Sequence, residues 1–257
     1  MSGYVDVNGI KTFYQDRGAG ETVVLLHGGL VDGRDFAGNL SALDRTHRVL
    51  IPDRRAHGRS YDVGGPLDLA TMASDTAAFI DAVAPGPVSL VGYSAGAMVA
   101  LRVAVAHPLQ VGQLVLISGA FSNEGMLFGP SMDEPPRALV DAHDEVTPHG
   151  SGHFMSLLER IVQSAEKDPP LTVSEMSSIS CPTLVMCADD DLVKSEHTLE
   201  MYRAIPDSQL AVVPGTSHLL LHEQPDLCTQ LVRDFLRSPQ ARTLMPIHRS
   251  SNDHQRG

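Results

Sequence analysis

The chain has 257 residues, of which 42% are hydrophobic, and a formal net charge of −12 at pH 7. This length and composition can fill one large core, so we expect a single domain with an insertion. The negative charge argues against nucleic acid, which is bound by clustered Lys and Arg. Since neither a long apolar run nor a secretory signal is recognisable, we expect a cytoplasmic protein that acts on a small molecule and binds no membrane. Both a monomer and a homodimer remain open.

Strands and helices are predicted to alternate along most of the chain. Apolar and polar side chains alternate on either side of Asn8-Gly9, which predicts a β-hairpin of residues 4–7 and 10–15. The later strands are continuous apolar runs, which is typical of a parallel sheet covered on both faces. We predict these strands at 22–26, 49–52, 88–93, 114–117, 183–187 and 210–213, and helices at 69–83, 95–107, 196–205 and 225–236. The pattern therefore predicts an α/β protein with helices on both faces of a mostly parallel, eight-stranded sheet.

The alternation lapses between residues 119 and 180, where prolines interrupt it and one helix is predicted near 154–165. We interpret this stretch as a short helical cap inserted into a domain of residues 1–237. Its apolar side chains form either a roof over a binding pocket or the contact that fixes the cap to the sheet, and both interpretations stay open. In the first case the substrate is small to medium in size and apolar. The residues expected to contact it are Leu30, Tyr93, Phe121, Phe128 and Phe154.

Disulfides and metal sites are not indicated. The three cysteines are Cys181, Cys187 and Cys228. They are odd in number and contain no C-x-x-C pair, so we predict free, buried thiols. Proline and glycine deny His143, His149 and His153 a common helical face, and we predict neither a metal nor a cofactor. Residues 238–257 are polar and are predicted to be disordered.

The segment 88–97 carries the clearest chemical signal. It reads as a strand followed by Gly92-Tyr93-Ser94-Ala95-Gly96 and an alanine-rich helix. Two glycines permit a turn so tight that the serine hydroxyl is exposed at the end of the strand. Ser94 is therefore the predicted nucleophile.

A serine needs a base to remove its proton during attack, and the base in turn needs an acid that orients it. His218 follows the last predicted strand, and Asp189, Asp190 and Asp191 follow the preceding one. Because these loops lie at the carboxyl end of the sheet, they can bring both groups to Ser94. The residues alone leave the choice among the three aspartates open.

From about residue 4 to residue 236 the chain resembles the α/β-hydrolase superfamily, specifically its small single-domain members with a short cap. Five features carry the resemblance in order: residues 27–29 after the third strand, the loop 53–60, the elbow at Ser94, the aspartate loop, and residues 215–218. The resemblance implies the α/β-hydrolase fold. The serine at the elbow argues against members similar to haloalkane dehalogenases and epoxide hydrolases, which have an aspartate there.

The resemblance also implies roles for individual residues. The family's acid commonly lies three residues after a glycine that closes the strand; Ala188 replaces that glycine here, and the spacing favours Asp191. The implied oxyanion donors are the backbone N–H groups of Gly29 and Ala95. Leu30 replaces the third glycine of the His-Gly-Gly-Gly sequence found in one lipase branch, which argues against that branch.

Around this site, His27 is expected to brace its loop by hydrogen bonding. The loop residues Arg54, Arg55 and Arg59 either bind an anion or pair locally, and we favour local pairing.

Together these features predict a serine hydrolase that cleaves a carboxylic ester or lactone through an acyl-enzyme. The alternatives on the same fold are a carbon–carbon bond hydrolase, a non-hydrolytic cyclase or perhydrolase, and a ligand-binding, receptor-like protein with little turnover.

Overall fold

The computed structural model describes residues 1–239 and 243–245. Of the tail predicted to be disordered, residues 240–242 and 246–257 lie outside this part. The described strands are β1 (Ser2–Val7), β2 (Ile10–Arg17), β3 (Thr22–Leu26), β4 (Arg48–Pro52), β5 (Val88–Tyr93), β6 (Val111–Ile117), β7 (Thr183–Asp190) and β8 (Ser208–Ser217). They form one sheet in the order β1-β2-β4-β3-β5-β6-β7-β8. β2 pairs antiparallel with β1 and β4, and the other neighbours are parallel, so the predicted sheet is confirmed.

Helices cover both faces of the sheet. The described α-helices are α1 (Leu69–Val83), α2 (Ala95–Ala106), α3 (Arg137–Asp144), α4 (His153–Ala165), α5 (Val173–Ser177), α6 (Ser195–Ala204), α7 (Leu220–Glu223) and α8 (Pro225–Arg237). Neighbouring side chains of a strand point to opposite faces. Accordingly Val24 packs in a core cluster with Phe79 of α1 and residues of α2, whereas Val23 packs in a second cluster with Phe235 of α8.

Between β6 and β7 the chain forms α3, α4 and α5, of which only α4 was predicted. Residues of α4 and of the loop after it bind the start of α1 and the residues before it. Leu67 N–H donates to Ser164 Oγ at 3.2 Å, and Leu69 N–H donates to Asp168 Oδ1 at 3.0 Å. Leu157 of α4 is fully buried and belongs to the cluster that contains α1 and α2. These contacts fix the segment between β6 and β7 to α1 and to the residues before it.

A series of hydrogen-bonded side chains joins α3 and α4 to the loop before α1. His153 Nε2 lies 2.9 Å from Asp62 Oδ2, and a carboxylate only accepts, so His153 donates through Nε2. The other ring nitrogen of His153, Nδ1, lies 2.9 Å from His143 Nε2. Arg160 also donates to Asp62. The sequence interpretation of this histidine-rich stretch missed the contact between His143 and His153, which are ten residues apart. No group able to hold a metal ion occurs among the described residues.

Replacement of Asp62 by asparagine is expected to lower the free energy of unfolding by about 1–3 kcal/mol at pH 7, because it removes charged hydrogen bonds to a side chain that is 11% exposed. Burial raises the pKa of Asp62, but hydrogen bonds from His153, the Gly64 N–H and Arg160 outweigh it and lower the pKa to about 2. The carboxylate's contribution is therefore present above its unfolded pKa of about 3.9 and is lost as the pH falls through about 2. Denaturant unfolding of both proteins between pH 7 and pH 2 measures this.

The control is Asp141→Asn, which breaks an exposed pair with Arg137 in α3 and is expected to cost less than about 0.5 kcal/mol. Equal losses for the two variants at pH 7 would contradict the role given to Asp62.

Cys181, Cys187 and Cys228 are free thiols, with Cys187 and Cys228 buried and Cys181 half-buried. In the described part of the chain, no helix is long and apolar enough to cross a membrane.

Candidate active site

Ser94 stands at a sharp turn between β5 and α2. Its backbone has φ 54° and ψ −121°, a conformation that non-glycine residues rarely adopt. The turn brings backbone segments so close that a Cβ on Gly92 would lie 2.3 Å from the oxygen of Gly96, and one on Gly96 would lie 2.1 Å from the oxygen of Leu26. Both glycines are therefore required sterically, and the strained turn presents the serine at the end of the strand.

Two loops bring a histidine and an aspartate to this serine. His218 Nε2 lies 2.8 Å from Ser94 Oγ, and His218 Nδ1 lies 2.7 Å from Asp191 Oδ1. Because the carboxylate can only accept, Nδ1 carries the proton, and Nε2 is left to accept from the serine hydroxyl. The three side chains that the sequence placed on separate loops thus form one continuous hydrogen-bonded series.

Asp191 is held ionised although its side chain is only 2% exposed. Its Oδ2 accepts from Ser118 Oγ at 2.5 Å and from Ala188 N–H at 3.0 Å. Burial alone would raise the pKa of this carboxyl, but hydrogen bonds from His218 and Ser118 outweigh it and lower the pKa. Ser118 was not predicted as a site residue. The only sequence feature that could have indicated it is its position directly after β6.

The neighbouring aspartates do not contact His218. Asp189 accepts from the backbone N–H groups of Gly215 and Thr216, at 2.9 and 3.0 Å, and so anchors the loop that leads to the histidine. Asp190 is exposed at the end of β7. Of the three candidates, the structure brings Asp191 to the histidine.

Tyr93, predicted to contact substrate, instead supports this loop. Its ring is 4% exposed, stacks beside the His218 ring with centroids 5.7 Å apart, and its hydroxyl donates to the carbonyl of His218 at 2.7 Å. The structure does not bring Tyr93 to the wall of the cavity beside Ser94, because the residue before the serine still belongs to β5 and its side chain points into the core. Glu223, also missed, accepts from Ser217 N–H and Oγ on the same loop.

The predicted oxyanion donors lie together beside Ser94. A Cβ built on Gly29 would be 3.7 Å from the Cβ of Ala95. Ala95 is the first residue of α2, a position whose N–H has no partner within the helix. The peptide that links Gly28 to Gly29 is fixed from the other side, because Gly28 O accepts from His27 Nδ1 at 2.8 Å and from Arg54 Nη2 at 2.6 Å. The role of the Gly29 and Ala95 N–H groups as oxyanion donors stays a prediction.

Ser94 opens into a cavity of about 210 Å³. Gly29, Ala95 and Leu30 line it, as do apolar side chains from α1, α2 and the segment between β6 and β7. Examples of these are Met72, Met98, Met126 and Ile161. Leu30 therefore lies where the sequence predicted a substrate contact, and the cavity wall is largely apolar.

The three phenylalanines predicted to contact substrate are not among the described residues that line the cavity. Phe121 stacks on His197 with centroids 3.7 Å apart, Phe154 is fully buried against His143, and Phe128 is 71% exposed. The structure therefore does not bring these three side chains to the cavity, and sequence periodicity in the segment was too weak to show which way each side chain faces. Phe121 instead fixes the segment to α6, and Phe154 packs within the segment, between α4 and α3.

The basic loop after β4 divides into two kinds of residue. Arg55 pairs with Asp75 at 2.6 Å and Arg59 with Asp53 at 3.1 Å, which is the local pairing that the sequence favoured. His27 braces the loop as expected, since its Nε2 accepts from Arg54 N–H at 3.0 Å. The Arg54 side chain is different, because it is buried, lacks a carboxylate partner in the described part of the chain, and lines the cavity.

A strained elbow serine, followed along the chain by an aspartate and a histidine on loops at one end of a mostly parallel sheet, is the arrangement of the α/β-fold hydrolases. The chain belongs to the Alpha/beta hydrolase family, whose model matches residues 23–231. The resemblance predicted from the sequence is thereby confirmed.

Individual relatives are distant. The chain is similar to pyrrolizixenacetamide deacetylase of Xenorhabdus hominickii, with 29% identity over 91% of this chain and 97% of that protein. A 2-hydroxy-6-oxononadienedioate/2-hydroxy-6-oxononatrienedioate hydrolase of a Pseudomonas species is 26% identical over 90% and 93% of the two chains. Among solved structures, Est816, described as an N-acyl homoserine lactone degrading enzyme, aligns with TM-score 0.73 and 25% identity over 90% of this chain and 99% of its own.

Proposed function

We propose that this protein is a serine hydrolase that cleaves a small carboxylic ester or lactone through an acyl-enzyme. The observation that carries the proposal is the series from Ser94 Oγ through His218 to Asp191, with both hydrogen bonds at 2.7–2.8 Å, in which Ser94 lines a largely apolar cavity. An activated hydroxyl beside two backbone donors is suited to acyl transfer.

In the proposed reaction, Ser94 Oγ attacks the substrate carbonyl carbon while its proton moves to His218 Nε2. The carbonyl oxygen becomes an oxyanion that the N–H groups of Gly29 and Ala95 stabilise, each typically by about 3 kcal/mol. Collapse of the intermediate expels the alcohol oxygen, which takes the proton from His218. Water then attacks the acyl-enzyme with His218 as base, and the acid is released.

Hydrolysis of a carbon–carbon bond is a second candidate, because the Pseudomonas relative is named as a hydrolase of hydroxy-oxo dicarboxylates, compounds that contain no ester bond. The same serine, histidine and oxyanion donors would serve it. Lactone cleavage finds support in the likeness to Est816, and the Xenorhabdus relative, named as a deacetylase, indicates that acyl groups of more than one kind are cleaved in this family.

A panel of esters, lactones, thioesters and one vinylogous β-diketone, graded by acyl length, tests the proposal through kcat/KM. Esters or lactones with short acyl chains are expected to give the highest values, since the cavity is smaller than the range of about 300–1,000 Å³ that holds drug-sized ligands. A higher value for the diketone would favour the second candidate. No turnover of any member would contradict both.

A further inference from the structure

Arg54 is a buried cation that the hydrolytic mechanism does not use. It follows β4 and is only 6% exposed, yet in the described residues no carboxylate pairs with it. Its Nη2 donates to Gly28 O at 2.6 Å and its Nη1 contacts Met72 Sδ at 3.2 Å, while Nε has no partner. A guanidinium offers five N–H donors, and most of those of Arg54 are unused.

This side chain remains charged at neutral pH. Burial lowers the pKa of Arg54 only to about 10. The nearby imidazoles add no charge of their own, because burial and the positive charge of Arg54 lower the pKa values of His27 and His57 well below the usual range. An unpaired charge in a buried position is costly, and such charges usually have a partner. An anionic ligand would supply the missing partner.

The cation faces the same cavity as the serine. Arg54, His57 and Ser94 all line it, and His57 contributes a second buried atom without a partner, Nε2. Since His57 Nδ1 donates to Arg55 O at 2.8 Å, this Nε2 is an acceptor.

The carboxylate of Asp168 lines the same cavity, but it does not neutralise Arg54. It accepts from Leu69 N–H at 3.0 Å. Burial raises the pKa of Asp168, and the positive charge that opposes this rise is that of Arg102, not that of Arg54. The cavity thus combines an apolar wall with one uncompensated cation.

We propose that Arg54 binds a free carboxylate of the substrate, so that the protein selects small esters or lactones that carry a second, ionised carboxyl group. As a statement about the substrate this rests on the proposed hydrolysis at Ser94. The hydrogen bond from Arg54 to Gly28 O places the cation next to the peptide that supplies the Gly29 N–H. In a substrate bound this way, the free carboxylate on Arg54 is only a few atoms away from the carbonyl group that Ser94 attacks. Such a short substrate fits a cavity of about 210 Å³.

Binding can be tested without turnover in the Ser94→Ala protein. Calorimetry compares monomethyl glutarate with methyl pentanoate, in which a methyl group replaces the carboxylate. The glutarate ester is expected to bind at least about tenfold more tightly, because charge-assisted hydrogen bonds to a buried partner are strong. In the same background, Arg54→Gln, which keeps a donor for Gly28 O but no charge, is expected to remove the preference, and Arg54→Lys to restore part of it. Equal binding of the two esters, or a preference that Arg54→Gln leaves unchanged, would overturn the proposal.

Turnover separates this proposal from the one on which it rests. With Ser94 present, the ratio of kcat/KM for mono-p-nitrophenyl glutarate to that for p-nitrophenyl pentanoate is expected to be at least about ten, and to fall to about one in Arg54→Gln. A binding preference with hydrolysis of neither ester would refute the hydrolase proposal and leave the carboxylate site standing. Hydrolysis of both at equal rates would refute the carboxylate site alone.

Discussion

Replacement of Ser94 by alanine is expected to lower kcat/KM for p-nitrophenyl acetate by about 10⁴-fold or more, because loss of a nucleophile that acts together with its base removes nearly all of their joint contribution. The hydroxyl lies 2.8 Å from His218 Nε2, and no other serine is described as touching that nitrogen. Steady-state kinetics of the two proteins, with circular dichroism to verify folding, measures the effect.

Ser89 provides the matched control. It lies on the same strand, β5, and its hydroxyl bonds to Gln113 at 2.9 Å, away from the histidine. Ser89→Ala is expected to keep activity within about threefold of the original, because a substitution away from the active site that removes one side-chain hydrogen bond usually has a small effect. Equal activity in the original and Ser94→Ala proteins would refute serine hydrolysis at this residue. Activity lost only in Ser94→Ala would argue against a receptor-like, ligand-binding protein with little turnover.

Replacement of Asp191 by asparagine is expected to lower kcat by about 10³–10⁴-fold while leaving the fold intact. The reason is the tautomer of His218: an amide no longer requires Nδ1 to carry the proton, so Nε2 is no longer kept free to accept from Ser94. The buried carboxylate also stabilises the imidazolium that forms during attack, and an uncharged amide cannot do so.

Variants of the two neighbouring aspartates test whether Asp191 is the carboxylate that orients His218. Asp190→Asn changes an exposed side chain and is expected to have no more than about a threefold effect. Asp189→Asn weakens the anchor of the Gly215–Thr216 backbone and is expected to lower kcat less than Asp191→Asn does. A larger loss for Asp189 than for Asp191 would show that the wrong carboxylate has been named.

The framework of the site followed from the sequence because its parts obey strong local rules. β3 and β5 are continuous apolar runs, and their ends are marked by residues whose conformational needs are distinctive, such as Gly92 and Gly96. Parallel strands bring the loops after them to one edge, which is why Ser94 and His218 could be placed together before any distance was known. The identity of the acid needed more, since three consecutive aspartates have nearly the same local signal.

The cavity wall could not be predicted in the same way. Between β6 and β7, short helices are stabilised by contacts distant in the sequence, such as His153 with Asp62, and not by a clear apolar period. Phe121 and Phe154 likewise contact residues distant in the sequence, His197 and His143, which no local pattern identifies. Arg54 shows a related limit: two neighbouring arginines look alike in sequence, and only the position of Asp75 makes Arg55 the paired one and leaves Arg54 unpaired.

The most direct test is covalent labelling with a fluorophosphonate, followed by mass spectrometry of the digested protein. The expected result is one label per chain on the peptide that contains Ser94, with labelling lost in Ser94→Ala and slowed strongly in His218→Ala, because phosphonylation requires a serine whose proton the histidine removes. A label on another residue, or labelling that does not depend on His218, would contradict the claim that this histidine activates this serine.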